Sequence, residues 1–180
     1  VAFTLNNGTT ITGAGSARAV SSLNVAGAVG VPGTLELGPG AVISGAGSLT
    51  LPGKLDWTGG TLATATTIPI GSLTTISGSA QKTLSSTLNV AGRLNFTGTG
   101  GFAMNSAVVN VQTGGLFDLQ NDAAIFDPDN SNVIGQIFVD GTLRKSGGTG
   151  TSDLGDGFDG HVSTRVSAGG KIEVQTGVLN

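Results

Sequence analysis

Apolar and polar residues alternate along almost the whole chain, and a glycine interrupts the alternation at intervals. The clearest copy is residues 88–96 (LNVAGRLNF), and residues 49–57 (LTLPGKLDW) match it position for position. Residues 137–145 (IFVDGTLRK) match again, with a lysine at the last apolar position. Because a period of two is the pattern of a half-buried strand, each copy predicts two short strands that meet at the glycine.

The glycines recur with a spacing that is typical of a solenoid. Successive members of the series are 18 to 29 residues apart, and repeats of this length stack into coils. Glycine would supply the positive φ of a tight corner without steric cost. The glycines that we assign to these corners are Gly8, Gly33, Gly53, Gly71, Gly92, Gly115, Gly141 and Gly170.

These patterns predict an all-β fold, a single right-handed parallel β-helix (β-solenoid) of about seven coils that forms one domain over residues 1–180. An antiparallel β-sandwich is the alternative, since short strands with frequent turns also fit that class. We expect the core to contain Leu55, Trp57, Leu73, Leu94, Phe96, Phe117, Leu119, Leu143, Ile172 and Val174, faced by Leu49, Leu51, Ile68, Ile70, Leu88, Val90, Val109, Val111, Ile137 and Val139.

Composition narrows the classes of protein further. The chain has 32 glycines, no cysteine and 11% charged residues. No segment has the 3.6-residue period of a helix or the length of a membrane span. The net charge of −3 divides into four cations and two anions in residues 1–117, and four cations and nine anions in residues 118–180. Without a basic stripe, nucleic acid is not an expected partner.

Several longer segments together carry a resemblance. They are residues 55–62 (LDWTGGTL), 67–73 (TIPIGSL), 87–98 (TLNVAGRLNFTG), 117–123 (FDLQNDA), 141–150 (GTLRKSGGTG) and 170–180 (GKIEVQTGVLN). This succession, over roughly residues 34–180, resembles the β-strand repeat regions of very large bacterial cell-surface and secreted proteins of the adhesin-like group. The resemblance implies an extracellular, elongated and non-catalytic protein. Residues 126–134 and 152–161 are longer and more acidic than the repeat.

Two acidic loops are candidate calcium sites, at residues 122–132 (DAAIFDPDNSN) and 153–161 (DLGDGFDGH). Calcium takes six to eight oxygen ligands, but neither loop has the full spacing of a known calcium loop. Asp-Pro and Asp-Asn are also ordinary turn formers. We therefore expect turns, and leave calcium binding at either loop open.

A catalytic site is the third possibility. His161 is the only histidine, and it has no recognisable nucleophile partner. Asp118, Asp140, Arg144 and Lys145 could lie close together, as acidic and basic groups do in β-helix polysaccharide lyases and hydrolases. The chain has no long loops to wall a cleft, so we assign no catalytic, cofactor-binding or metal-binding residue and expect no cofactor.

Two functions remain. The first is a structural body segment, either part of a longer repetitive protein or a processed piece of one, whose ends contact copies of itself or adjacent repeats. The second is an adhesive face for polysaccharide or another cell. Exposed aromatics would favour sugar binding, and only Phe102, Phe126 and Phe158 are candidates. The Thr-x-Thr pairs fall at different offsets and do not predict one threonine rank. We favour the structural role.

Overall fold

The computed structural model describes residues 3–128, 134–155 and 162–180. These residues form 22 β-strands and no helix. The strands are β1 (Phe3–Leu5), β2 (Ser16–Ala19), β3 (Ser22–Val25), β4 (Ala28–Gly30), β5 (Thr34–Leu37), β6 (Val42–Thr50), β7 (Lys54–Trp57), β8 (Gly60–Ile68), β9 (Leu73–Ile76), β10 (Lys82–Leu84), β11 (Thr87–Val90), β12 (Arg93–Phe96), β13 (Phe102–Met104), β14 (Val108–Val111), β15 (Leu116–Leu119), β16 (Ile125–Phe126), β17 (Gly135–Val139), β18 (Thr142–Lys145), β19 (Thr151–Ser152), β20 (Val162–Val166), β21 (Lys171–Val174) and β22 (Val178–Leu179).

Every strand pairing among these residues is parallel, and the strands stack as a β-solenoid. One sheet has eight strands in the order β2-β5-β7-β9-β12-β15-β18-β21, and a second has twelve, with the main path β1-β3-β6-β8-β11-β14-β17-β20. Along the chain, strands of the eight-stranded sheet alternate with one or more strands of the twelve-stranded sheet. The predicted parallel solenoid is confirmed and the antiparallel sandwich is ruled out, while the turns number about six rather than seven.

The eight-stranded sheet shows why the alternation predicts the core. Equivalent positions in neighbouring coils are in register, so that Leu35 pairs with Leu55 and Leu37 with Trp57. In each four-residue strand the second and fourth side chains point inward, and the first and third point out. Leu94 and Phe96 follow this rule and are fully buried, as are Leu55, Trp57, Phe117 and Leu119. Each such burial contributes about 1.5–3 kcal/mol to stability.

An aromatic cluster fills the middle of the core. The ring centroid of Phe102 lies 5.5 Å from that of Trp57, 6.1 Å from that of Phe96 and 6.5 Å from that of Phe117, each in an edge-to-face arrangement. Phe102 is fully buried, so the prediction that it is an exposed aromatic was wrong. Phe102 lies on β13 in the twelve-stranded sheet. The repeat around Gly92 does not include this strand and so did not indicate which of its residues point inward.

Four residues predicted to be core residues are not buried. Leu73 lies on the outer side of β9 and is half-buried, because Thr74 and Ile76 take the inward positions. Ile70 is 83% exposed in the turn before β9. Ile172 and Val174 occupy inward positions of β21 but are 46% and 52% exposed, because no further described coil covers them.

Most of the predicted corner glycines are needed for a different reason. Gly8 and Gly71 have positive φ values of 79° and 83°, but Gly33, Gly53, Gly92, Gly115, Gly141 and Gly170 do not. At the last five of these positions, a Cβ atom would lie closer than 3.0 Å to a backbone carbonyl oxygen of the preceding coil or turn. Glycine is therefore needed there to allow the backbones to approach.

Gly71 is also not an equivalent position of the repeat. Lys54 pairs with Leu73, and Leu73 pairs with Arg93, so the residue in register with Gly53 and Gly92 is Ser72. The Ser72 hydroxyl donates a hydrogen bond of 3.1 Å to the carbonyl oxygen of Pro52 in the coil before. A small hydroxyl side chain thus replaces glycine at this corner.

Candidate functional site

The densest group of charges lies on the outer side of the eight-stranded sheet, around the fully buried carboxylate of Asp118 on β15. Arg93 and Arg144, at neighbouring positions on β12 and β18, cover it from both sides. Arg144 donates from Nε at 3.1 Å and from Nη2 at 2.6 Å, and Arg93 donates from Nη2 at 3.1 Å. Gln120 donates at 2.9 Å and Ser146 at 2.6 Å.

These contacts keep Asp118 ionised. Burial alone would raise the pKa of its carboxyl, but the hydrogen bonds from Arg144, Ser146 and Gln120, together with the charge of Arg144, hold the pKa well below its ordinary value. The same contact raises the pKa of Arg144. Five hydrogen bonds occupy the acceptor sites of the two oxygens. The group is arranged to hold three coils together, and it leaves the carboxylate no free acceptor position for a substrate.

The four residues considered as a catalytic group do not come together. Asp118 and Arg144 form the ion pair just described, but Asp140 is exposed in the turn between β17 and β18. Lys145 follows Arg144 directly, so its side chain points to the opposite side of the sheet, into the core, where it is fully buried. The sequence marked Lys145 as an exception because it occupies an apolar position of the repeat.

Inside the core, Lys145 binds a corner of the solenoid. Its ammonium group donates to the carbonyl oxygens of Asn121 at 2.7 Å and Gly147 at 2.8 Å, and to Oδ1 of Asp122 at 2.9 Å. The Asn121 carbonyl also accepts a 2.8 Å hydrogen bond from the hydroxyl of Ser152. The hydrogen bond from Lys145 lowers the pKa of Asp122. Lys145 thus links backbone groups of successive coils.

Lys82 is a second buried lysine, and sequence reasoning missed it. Its ammonium group donates to the carbonyl oxygen of Gly78 at 2.9 Å, reaches that of Gly100 at 3.5 Å and lies 5.8 Å from the ring centroid of Phe96. Burial lowers its pKa. The alternation on β10 could have identified it: Lys82 lies two residues before the inward Leu84, and residues two apart in a strand point to the same side.

The acidic loops are only partly described. Asp122 pairs with Lys145, and Asp127 is buried and accepts a hydrogen bond from the backbone N–H of Gly135. Phe126, a predicted exposed aromatic, is half-buried. Within residues 3–128, 134–155 and 162–180, no group of three or more His, Cys, Asp or Glu residues could hold a metal ion. Residues 129–132, and Asp156, Phe158, Asp159 and His161, lie outside the described residues.

The outer side of the twelve-stranded sheet has a different character. Thr50, Thr67, Asn89 and Asn110 occupy one register position in four successive coils. The Asn110 side chain donates a 2.9 Å hydrogen bond to Oδ1 of Asn89. We call these four residues the neutral column. The neutral column was not predicted, since none of its four members belongs to the Thr-x-Thr pairs that the sequence analysis considered.

No protein-family model matches this chain, and no curated protein and no solved structure resembles it at a significant level. Across the described part of the chain, no helix is both long enough and apolar enough to span a bilayer. The functional interpretation therefore depends on the geometry of the solenoid and on the sequence pattern.

Proposed function

We propose that this chain is a non-catalytic structural segment of an extracellular or cell-surface repetitive protein, and that it forms part of a stiff stalk or filament body. The observation that carries the proposal is the unbroken parallel ladder from β2 to β21 in the eight-stranded sheet. The backbone hydrogen bonds of such a ladder run along the axis of the solenoid, so every coil between the two end coils is bonded to the coils before and after it.

This arrangement suits a load-bearing part. About six turns at about 4.8 Å per turn give a rod of ~30 Å. Stretching it along its axis would have to break several hydrogen bonds of one coil interface together. The side chains resist the same motion, because Trp57, Phe96, Phe102 and Phe117 interlock between coils.

The charges support the same role. Asp118, Arg93 and Arg144 bond three successive coils across the outer side of the sheet, while Lys82 and Lys145 bond coils from the inside. These groups use their hydrogen-bonding capacity on the solenoid itself. The extracellular location is supported by the resemblance of residues 34–180 to surface repeat regions.

The proposal is tested on the purified chain by small-angle scattering, limited proteolysis and incubation with a panel of polysaccharides. We expect a rigid particle ~30 Å long along the solenoid axis that trypsin digests slowly, and no release of reducing or unsaturated sugar ends. Depolymerisation of any polysaccharide that is abolished by Asp118→Asn or Asp140→Asn would overturn the structural role in favour of a lyase or hydrolase.

An adhesive face is the second candidate, and the neutral column favours it. Its hydroxyl and amide groups repeat at the spacing of the coils on a side of the solenoid that carries no charge between Thr50 and Asn110. Such groups suit a neutral polysaccharide. Glycan-array binding that is lost in Thr67→Val/Asn89→Leu, but kept in Thr75→Val/Asn95→Leu on the other sheet, would establish it. Equal binding by both variants would exclude this face.

A further inference from the structure

The two edges of the eight-stranded sheet are uncovered and differ in side-chain size. At one edge, β21 presents Ile172 and Val174 at the inward positions, 46% and 52% exposed. At the other edge, β2 presents Ala17 and Ala19 at the same two positions. Large apolar side chains at one edge therefore correspond to small ones at the other.

We propose that β21 of one copy pairs in parallel with β2 of a second copy, with Lys171 opposite Ser16, Ile172 opposite Ala17, Glu173 opposite Arg18 and Val174 opposite Ala19. The inference rests on the proposed structural role and specifies its partner and register. Such a head-to-tail contact is heterologous, and because it continues the ladder of one copy into the next, it adds copies without closing into a ring.

The shapes of the edges support this register. Beside β2 lies an open cavity of about 120 Å³, whose apolar lining includes Phe3, Ile11, Ala17, Ala19, Leu23 and Leu35. In the described interior, the inward positions of the eight-stranded sheet are mostly Leu, Phe, Ile or Trp. The alanines of β2 leave space that Ile172 and Val174 of the neighbouring copy would fill, which removes apolar surface from water and favours the contact.

Charge continues across the same junction. Asp118 occupies an outward-facing register position that recurs in every strand of the sheet. In the last three strands this position holds Asp118, Arg144 and Glu173, and in the first two strands it holds Arg18 and Glu36. Joining the edges in the proposed register gives an alternating series of negative and positive side chains. Arg18 would then lie between Glu173 and Glu36, as Arg144 lies between Asp118 and Glu173.

The register proposed for β21 and β2 is also compatible with the strand positions of the twelve-stranded sheet. Thr10 bridges to Gly30, and the register position of Gly30 runs through the sheet to Arg165 on β20. Stacking one further coil therefore places Thr10 on Arg165, and Ile11 on Val166, which is 44% exposed. The two sheets thus agree on one register for the contact.

Strands β22 and β1 do not compete for a place in this contact. Both strands belong to the same side of the solenoid. Leu179 pairs with Ser152, and the register can be followed from there through Ile125 and Met104 to Phe3. In that register Leu179 lies four residues before the position that Phe3 occupies. The ends of two copies can therefore lie one after the other along that side.

Because the chain has no cysteine, disulfide trapping tests the register directly. In Ser16→Cys/Lys171→Cys, parallel pairing would place the two Cα atoms of neighbouring copies about 4.8 Å apart, within the reach of a disulfide. In the control Ser16→Cys/Gln175→Cys, the second cysteine lies four residues further along, about 13 Å away. Under mild oxidation we expect a ladder of disulfide-linked oligomers from the first variant and monomers from the control.

A charge exchange supplies an independent arm. Sedimentation velocity should show association of the unmodified chain, at least a tenfold weaker association for Arg18→Glu and for Glu173→Arg, and recovery in the double variant, whose edges again carry opposite charges. Mixing the two single variants should also restore association into oligomers, because each edge of one variant then meets an oppositely charged edge of the other.

The outcomes separate the two proposals. A chain that stays monomeric at high concentration, or that gives equal ladders in both cysteine variants, would overturn the head-to-tail register and leave the structural role standing. Depolymerisation of a polysaccharide by the same preparation would overturn the structural role itself, whatever the oligomeric state.

Discussion

The first and last coils of the solenoid solve the same stacking problem in different ways. From β2 to β12, equivalent positions are 18 to 20 residues apart, and from β12 to β21 the spacing grows to 23, 26 and 29 residues. We call these regions the short coils and the long coils. The short coils meet mainly through apolar side chains and close backbone contacts, and they bury one lysine, Lys82. The long coils add buried charged groups, among them Asp118 and Lys145.

The difference follows from what extra residues do at a corner. A longer connection carries more backbone carbonyl groups past the edge of the sheet, and each one that is buried needs a donor. In the long coils these donors are side chains: Lys145 binds the carbonyls of Asn121 and Gly147, and Ser152 also binds that of Asn121. In the long coils of this chain, buried side-chain donors therefore accompany the longer connections.

The largest expected effect tests the apolar packing where the short coils meet the long coils. Phe102→Ala removes the ring that touches Trp57, Phe96 and Phe117, and it should lower the free energy of unfolding by about 3–5 kcal/mol. Urea denaturation followed by Trp57 fluorescence measures it. The control Phe138→Ala, at a half-buried outer position, should cost much less. Equal decreases in the free energy of unfolding for the two variants would mean that the aromatic cluster contributes no more to stability than a half-buried outer ring.

The charged side is tested by Asp118→Asn. The substitution weakens the hydrogen bonds from both arginines and should cost about 2–3 kcal/mol near pH 7. Because the pKa of Asp118 is held below its ordinary value of 3.8, its stabilisation is complete above that value and is lost as the pH falls through the lowered pKa.

The stability difference between wild type and Asp118→Asn should therefore shrink as the pH is lowered below about 4. The control Asp56→Asn affects a partly exposed pair with Lys54, and it should cost less than about 1 kcal/mol. Thermal unfolding measured from neutral to acidic pH checks both. A difference that stays constant with pH would contradict the role given to the Asp118 carboxylate.

The glycines test how the short coils stack. Gly92→Ala places a Cβ atom against the carbonyl oxygens of Pro69 and Ser72, and it should cost about 1–3 kcal/mol. Gly71→Ala meets open space but has a φ of 83°, so its cost of about 1 kcal/mol is conformational. Gly71→Asn is the control for the conformational cost. Because asparagine tolerates positive φ, this variant should lose less stability than Gly71→Ala. If Gly71→Ala lost more stability than Gly92→Ala, positive φ and not the close approach of backbones would be the main reason for glycine at the corners.

The smallest expected effect compares the two buried lysines. Lys145→Met leaves the carbonyl of Gly147 without its lysine donor and should cost about 1–2 kcal/mol. Lys82→Met removes a charge whose burial is unfavourable, and the stability should change by less than about 1 kcal/mol. Because the pKa of Lys82 is lowered from 10.5, wild type should gain stability as the pH rises from that lowered pKa toward 10.5, and Lys82→Met should lack this gain.

Sequence reasoning was most successful where a strand has its own complete alternation. Leu94 and Phe96, or Leu55 and Trp57, are inward because residues two apart in a strand share a side, and no long-range information is needed. The presence of glycine at the corners was also predictable from its spacing. The reason for it was not, because Gly92 is required by the carbonyl oxygens of another coil and not by its own φ.

The candidate site was predictable only in part. Asp118, Arg144 and Lys145 were noticed together, but adjacent residues of a strand point to opposite sides, so Arg144 reaches the outer carboxylate while Lys145 enters the core. Arg93, which completes the Asp118 cluster, is 25 residues away in sequence. Only the register of β12 against β15 brings it there.

The sequence by itself determined that this chain forms stacked parallel β-coils, because a period of two within strands and a period of about twenty between them leave few other ways to bury the apolar stripe. The tertiary structure decided the offset of each coil and what covers it. Ser72 rather than Gly71 aligns with Gly92, Phe102 and Lys82 are inside, and Ile172 and Val174 are uncovered. Local alternation sets which residues share a side, whereas burial depends on the neighbouring coil, which is distant in sequence.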